Sequence, residues 1–184
     1  MMQDEIRALF HPLVAEWFDS RFPRPTDAQA RTWPLIDGDR NVLLCSPTGS
    51  GKTLTAFLIA LDRVIRGEWP EGGTKILYVS PLKALNNDVR KNLLVPIAEL
   101  EALFAARGQR FPGVSVMTRS GDTQADERRR MLRRPPDILI TTPESLNLML
   151  TSKGGRGMLG GIRVLILDEI HAQAGGKRGA LLTL

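Results

Sequence analysis

Ser46-Pro47-Thr48-Gly49-Ser50-Gly51-Lys52-Thr53 stands between the apolar run Asn41–Cys45 and the segment Lys52–Arg66. In that segment Leu54, Phe57, Leu58, Leu61 and Ile65 recur at helical spacing. A strand, a glycine-bearing turn and a helix opening on Lys-Thr form the context in which backbone amides cradle phosphates. Gly49 and Gly51 let the chain turn with no Cβ in the way, so successive N–H groups can face phosphate oxygens. The helix that starts near Lys52 adds the positive end of its dipole. The Lys52 ammonium reaches the β- and γ-phosphates of a nucleoside triphosphate, and the Thr53 hydroxyl can ligate Mg²⁺. The strict form of this loop opens on glycine; here Ser46 holds that place, a small residue but not the general one.

Four further runs, Lys75–Ser80, Val114–Arg119, Asp137–Thr142 and Arg163–Leu167, are apolar throughout their centres and do not alternate. That pattern suits strands buried on both faces of a parallel sheet. Between them, Lys83–Ala106, Asp122–Arg134 and Glu144–Leu150 read as helices, with a break expected at Pro96 and Thr142 capping a helix whose first residue is Pro143. Strands alternating with helices predict an α/β doubly wound domain, a mostly parallel sheet with helices on both faces. Ahead of it, Gln3–Ser20 reads as one amphipathic helix, and Thr26 as the cap of a second that runs through Ile36 and bends near Pro34.

Composition limits the partners. Lys and Arg total 25 against 20 Asp and Glu, a net charge of +5 that favours a polyanion without proving one. Apolar residues at 42% supply a packed core and exclude global disorder. A single cysteine, Cys45, excludes a disulfide framework and a cysteine zinc site, and is expected to be a buried strand residue. The apolar stretches are too short to cross a bilayer, so no membrane is expected. Met1-Met2-Gln3-Asp4-Glu5 lacks a signal peptide's apolar region, which makes a cytoplasmic location the expectation. The chain ends within the apolar run Ala180–Leu184, as the first part of a longer protein would.

Arg163–Leu167 leads into Asp168-Glu169. Open α/β sheets bind ligands at the C-terminal ends of their strands. A metal-bound triphosphate needs a carboxylate near the cation and a group that orients the attacking water. Asp168 is therefore assigned to Mg²⁺, through water, and Glu169 to the water nucleophile. The expectation is that Lys52 and Asp168 serve one metal-bound triphosphate.

Taken together, residues 46–53 and Asp168-Glu169-Ile170-His171 resemble motifs I and II of superfamily 2 helicases. Other segments follow in that family's order. Pro25-Thr26-Asp27-Ala28-Gln29 resembles the adenine-reading Q motif, Ser80-Pro81-Leu82-Lys83-Ala84-Leu85-Asn86-Asn87-Asp88 motif Ia, and Thr141-Thr142-Pro143-Glu144-Ser145 motif Ib. Thr118-Arg119-Ser120-Gly121-Asp122 resembles the short nucleic-acid motif between them. The wording of these segments is similar to the large helicase-related (Lhr) family of ATP-dependent DNA helicases. Residues 1–21 read as an N-terminal helical extension, and the resemblance, which covers the chain from about Phe22 onward, implies a first RecA-like P-loop NTPase domain over residues 22–184. It also implies a second RecA-like domain supplying arginine fingers, which these residues do not include, so the 184 residues alone are expected to be weakly active or inactive. The implied cofactors are ATP and Mg²⁺, and the implied partner is single-stranded or partly duplex nucleic acid, DNA rather than RNA, with roles mainly in DNA repair.

The resemblance makes Gln29 the adenine reader, with the amide donor and acceptor that the base edge requires. Phe22 would stack on the adenine, or serve as a core or hinge contact. Thr48, Gly49, Ser50, Gly51, Lys52 and Thr53 would hold the phosphates. Pro81, Lys83, Arg119, Gly121, Thr142 and Pro143 would line the nucleic-acid strand, with Thr142 open between phosphate contact and helix cap. The arginines Arg128, Arg129, Arg130, Arg133 and Arg134 read as a solvated helix face, and His171 as a link between the nucleotide site and a later motif. The reading of another class is a non-catalytic nucleic-acid-binding module switched by nucleotide; a small-molecule transferase lacks an acceptor-reading cluster.

Overall fold

The computed structural model describes residues 2–47 and 51–170. In chain order the elements are α1 (Met2–Arg7), α2 (Pro12–Arg21), α3 (Asp27–Asp37), α4 (Lys52–Ile65), β1 (Ile76–Val79), α5 (Lys83–Ala106), β2 (Val116–Arg119), α6 (Ala125–Arg133), β3 (Ile138–Thr141), α7 (Pro143–Thr151), α8 (Lys153–Leu159) and β4 (Val164–Leu167). They fall into two compact units, Met1–Glu68 with Pro96–Gly113, and Trp69–Val95 with Val114–Leu184.

The second unit holds a four-stranded sheet in the order β2-β3-β1-β4. Every pair is parallel, with Ile76 opposite Ile138 and Val164, and Arg119 opposite Thr141. Side chains alternate across a strand, so Leu77, Val79 and Leu139 share one face. They pack with Met131 of α6, Leu146 and Met149 of α7, and Met158 and Leu159 of α8. The alternate residues Ile76, Tyr78, Ile138 and Ile140 are buried on the other face. The sheet's N-terminal edge is stitched by Asp137, which accepts from Lys75 Nζ at 2.8 Å and from both the backbone N–H and the hydroxyl of Ser115. Burial opposes the charge on Asp137, but these donors outweigh it and hold its pKa below the ordinary carboxylate value.

In the first unit the fully buried Trp33 organises the helices. Phe10 and Phe18 meet its ring edge-on, at centroid distances of 4.9 and 5.3 Å. Its indole donates to the Thr55 carbonyl at 3.0 Å, which ties α3 to α4. Trp17 and Arg21 of α2 both bind the Glu99 carboxylate on the C-terminal half of α5.

Three elements differ from expectation. The single helix over Gln3–Ser20 is two, because Pro12 lacks an N–H and suits a helix start; His11 caps α2 by accepting from Leu13 N at 3.2 Å. α5 does not break at Pro96 but runs through it. A proline costs a helix about 3 kcal/mol, and the stripe Val89, Leu93, Ile97, Leu100 and Phe104, all buried, outweighs that. Asn41–Cys45 is not a strand. Leu43 is 76% exposed and Cys45 is exposed rather than buried. An apolar run becomes a parallel strand only where neighbouring strands take up its backbone groups, and no described strand pairs with this one.

Candidate nucleotide and nucleic-acid site

The phosphate-loop residues belong to the first unit. Thr26 and Gln29 form a capping box at the start of α3: Thr26 N donates to Gln29 Oε1 at 2.9 Å, and Gln29 N to Thr26 Oγ1 at 3.3 Å. The box fixes the Gln29 side chain, which is buried, and its Nε2 lies against the loop. A Cβ on Gly51 would come within 3.2 Å of that nitrogen. Gly51 also has φ +79°, in the left-handed region that a side chain disfavours. Gly51 is thus fixed as glycine twice over, by its backbone angle and by its neighbour.

Lys52 opens α4 and turns its Nζ onto the carbonyls of Ser46 at 2.6 Å and Pro47 at 2.9 Å. The ammonium has three donors, so it braces the loop and keeps one for another acceptor. Thr53 follows in the first turn, and Thr55 Oγ1 donates to the Gly51 carbonyl at 2.9 Å. Thr48, Gly49 and Ser50 lie outside the described residues, as does His171. Phe22, just after α2, is 37% exposed and leans on Phe18 with ring centroids 4.9 Å apart.

In the second unit every strand runs the same way, so every C-terminal end reaches one edge. Along it stand, in sheet order, Arg119-Ser120 at the end of β2, Thr141-Thr142 at the end of β3, Ser80-Pro81 after β1 and Asp168-Glu169 after β4. Four segments far apart in sequence thus converge, as the ligand edge of a parallel sheet requires. Thr142 is buried and caps α7, accepting from Ser145 N at 3.4 Å, and Pro143 is buried at the helix start. Pro81 is buried, Lys83 is the first residue of α5, and Gly121 is exposed. Arg119 is half-buried; burial first, and then the charge of Arg128, lowers its pKa.

Asp168 is held at both oxygens. Tyr78, 1% exposed, donates its hydroxyl to Oδ2, and Glu169 N donates to Oδ1 at 2.9 Å. Burial and then the Asp168 carboxylate push the Tyr78 phenol far above its ordinary value. Glu169 has φ +52°, strained for a non-glycine residue. Among the described residues no three His, Cys, Asp or Glu side chains gather to hold a metal. The Asp168 carboxylate is an oxygen donor of the kind that Mg²⁺ takes, an ion that keeps waters in its shell rather than a full protein cage.

The family model of the DEAD/DEAH box helicases matches residues 26–183. The chain belongs to the DEAD/DEAH box helicase family. It is 46% identical over 187 residues to the Lhr helicase/uracil glycosylase of Escherichia coli, a match covering 96% of this chain and 12% of that protein. It is 45% identical over 182 residues to the ATP-dependent helicase Lhr-Core of Sulfolobus acidocaldarius, covering 97% of this chain and 20% of the relative. The solved structure of Mycobacterium smegmatis helicase Lhr bound to ssDNA and AMP-PNP superposes with a TM-score of 0.88 at 50% identity, over 94% of this chain and 22% of that one. The chain thus spans a small part of the length of these relatives. The resemblance to Lhr helicases and the expected RecA-like α/β fold are both borne out.

Two residues of this helicase domain escaped the sequence reading. Tyr78 lies inside an apolar strand, where an aromatic reads as core; only its place two residues before Ser80 hinted that it could reach the edge. Arg128 was read as part of a solvated face. Instead its Nη2 donates to the Gly121 carbonyl at 2.7 Å, and its Nε is buried without a partner among the described residues. No sequence signal separates it from Arg129 and Arg130, which are exposed.

Proposed function

We propose that this chain is the ATP- and nucleic-acid-binding motor domain of an ATP-dependent DNA helicase. In the longer protein, ATP hydrolysis would be coupled to strand translocation and unwinding with a second RecA-like domain. The observation that carries this reading is the convergence of four motif-bearing strand ends on one sheet edge, in a chain half-identical to a helicase solved with ssDNA and AMP-PNP. Gln29 and Phe22 would take the adenine, and residues 48–53 the phosphates. Thr53 and Asp168 would hold Mg²⁺, which neutralises charge on the phosphates, while Glu169 orients the attacking water. Pro81, Lys83, Arg119, Gly121, Thr142 and Pro143 would follow the strand. Contacts to the sugar-phosphate backbone supply affinity that is independent of base sequence. Thr142, already committed as a cap, suits a positioning role there. The N-terminal extension over residues 1–21, the domain over 22–184, a role in DNA repair and a cytoplasmic setting belong to the same reading.

A fluorescent ATP analogue should bind the protein, and Lys52→Ala should weaken that binding by more than tenfold, since it removes a charged donor to phosphate. Equal binding by both proteins would remove the assignment. ATPase activity stimulated by single-stranded DNA in the full-length protein separates a motor from a non-catalytic switch.

A further inference from the structure

Asp168, just past β4, is held at a fixed height because its own N–H donates to the Val79 carbonyl at 2.9 Å. Tyr78 pairs with Ile166 in the register of β1 and β4. Asp168 is two residues beyond Ile166, so it falls on the same face as Tyr78. Pleat and register thus bring a buried phenol to the carboxylate, and no loop has to place it. Tyr78 donates to Oδ2, and its oxygen shares a hydrogen bond with the Ser80 side chain. The Ser80 hydroxyl in turn accepts from Leu82 N at 3.4 Å, in the turn that leads into α5. On the other side Glu169, at φ +52°, brings its N–H to Oδ1. An ionised carboxylate has about four acceptor sites. Tyr78 takes one of them on Oδ2 and Glu169 N one on Oδ1.

We propose that Tyr78 is a positioning residue for the nucleotide-associated divalent cation: it holds the Asp168 carboxylate in the one orientation that receives the hydrated metal. This rests on the helicase-motor reading, in which Asp168 serves Mg²⁺. Tyr78 touches neither nucleotide nor metal; it acts through Asp168. Partners that orient a metal-binding carboxylate typically contribute about 10- to 100-fold to metal affinity.

The test is Tyr78→Phe, which removes one oxygen and keeps the ring. Binding of fluorescent AMP-PNP is measured with Mg²⁺ and in EDTA, so that no turnover is involved, and Mn²⁺ uptake by the nucleotide complex is followed by electron paramagnetic resonance. Expected is a metal-free Kd within about twofold of wild type, with the gain in affinity on adding Mg²⁺ reduced about tenfold and Mn²⁺ held correspondingly more weakly. Asp168→Ala should abolish the same gain, and the double variant should be no worse than Asp168→Ala alone, because the two residues act as one unit. An unchanged Mg²⁺ gain in Tyr78→Phe, even with a lowered melting temperature, would reduce Tyr78 to a packing residue and overturn the proposal. A wild-type protein that binds no nucleotide would instead remove the motor reading itself, and this inference with it.

Discussion

At the scale of single residues, Asp62 on α4 is the clearest case of a charge placed where the fold resists it. Its side chain is 1% exposed, yet it accepts from His11 N at 2.7 Å and pairs with Arg66 Nε at 2.8 Å. Arg66 also reaches the Leu9 carbonyl, and the His11 ring stacks on Phe104 with centroids 5.0 Å apart. The junction of α1 and α2 is thereby clasped to the helix that opens at Lys52. Burial raises the Asp62 carboxyl from 3.8 to about 6, against the pull of His11 N and Arg66 and with smaller pushes from Glu68 and Asp37. Burial and Arg66 lower the pKa of the neighbouring His11. The sign for Asp62 follows from proton counting. Between pH 3.8 and about 6 the folded chain binds more protons at Asp62 than the unfolded chain, so its contribution to stability falls as pH rises through that window. The cost then persists at higher pH. Asp62→Asn fixes the group near its neutral form. Urea unfolding of both proteins at pH 7 and pH 5 should show wild type gaining about 1 kcal/mol on the variant at the lower pH. Parallel curves would mean that Asp62 ionises freely in the fold.

At the scale of elements, α7 and α8 meet at a joint that admits no side chain. Ser152 caps α8, accepting from Gly155 N at 3.1 Å, and donates its hydroxyl to the Met149 carbonyl at 3.1 Å. A Cβ on Gly155 would stand 2.2 Å from the Met149 carbonyl oxygen and 2.7 Å from its Cα, both backbone atoms. Gly155→Ala should therefore separate the two helices and destabilise the domain by about 2–4 kcal/mol, read by thermal or urea unfolding. Gly157, with nothing within 4 Å of its Cβ position, is the control that should tolerate alanine. That joint was illegible in the sequence, where Lys153-Gly154-Gly155-Arg156-Gly157 carries no helical signal. What was legible were elements whose information is local. Thr26 and Thr142 are caps, and the four runs over 75–80, 114–119, 137–142 and 163–167 contain the four strands of the sheet. Continuous apolar runs failed as a signal at Asn41–Cys45, because a strand exists by its neighbours and not by its own composition. Pro96 misled for the converse reason: the packing that carries α5 through it comes from residues far away in the chain. At the site, the motif residues are nominated by a spacing that is chemical, whereas the contacts of Tyr78 and Arg128 arise from register and fold-back that only the folded chain defines.

At the scale of the whole molecule, the question is whether the net charge of +5 is spread evenly or used. The arginines of α6 answer it in part. Arg129 pairs with Asp126 at 2.7 Å and is exposed, the signature of a solvated face. Arg128 instead folds onto Gly121, and its charge acts on Arg119 at the end of β2. Two guanidiniums held within electrostatic reach of each other repel, and an anion between or beside them relieves that cost. Arg119 and Arg128 are therefore expected to contact phosphate together, while Arg129 contributes little. Each phosphate contact releases counterions, so its loss lowers the slope of log affinity against log salt by about 0.7 on a single strand. Fluorescence anisotropy with oligo-dT and with a mixed-sequence oligonucleotide, from about 50 to 200 mM salt, tests this in the longer protein. Arg119→Ala and Arg128→Ala should each flatten the slope by about that amount and weaken both oligonucleotides alike, since phosphate contacts carry no base information. Arg129→Ala should leave the slope unchanged. Equal slopes for all three variants would return Arg128 to the solvated face on which the sequence places it, and would take Arg119 off the nucleic-acid edge.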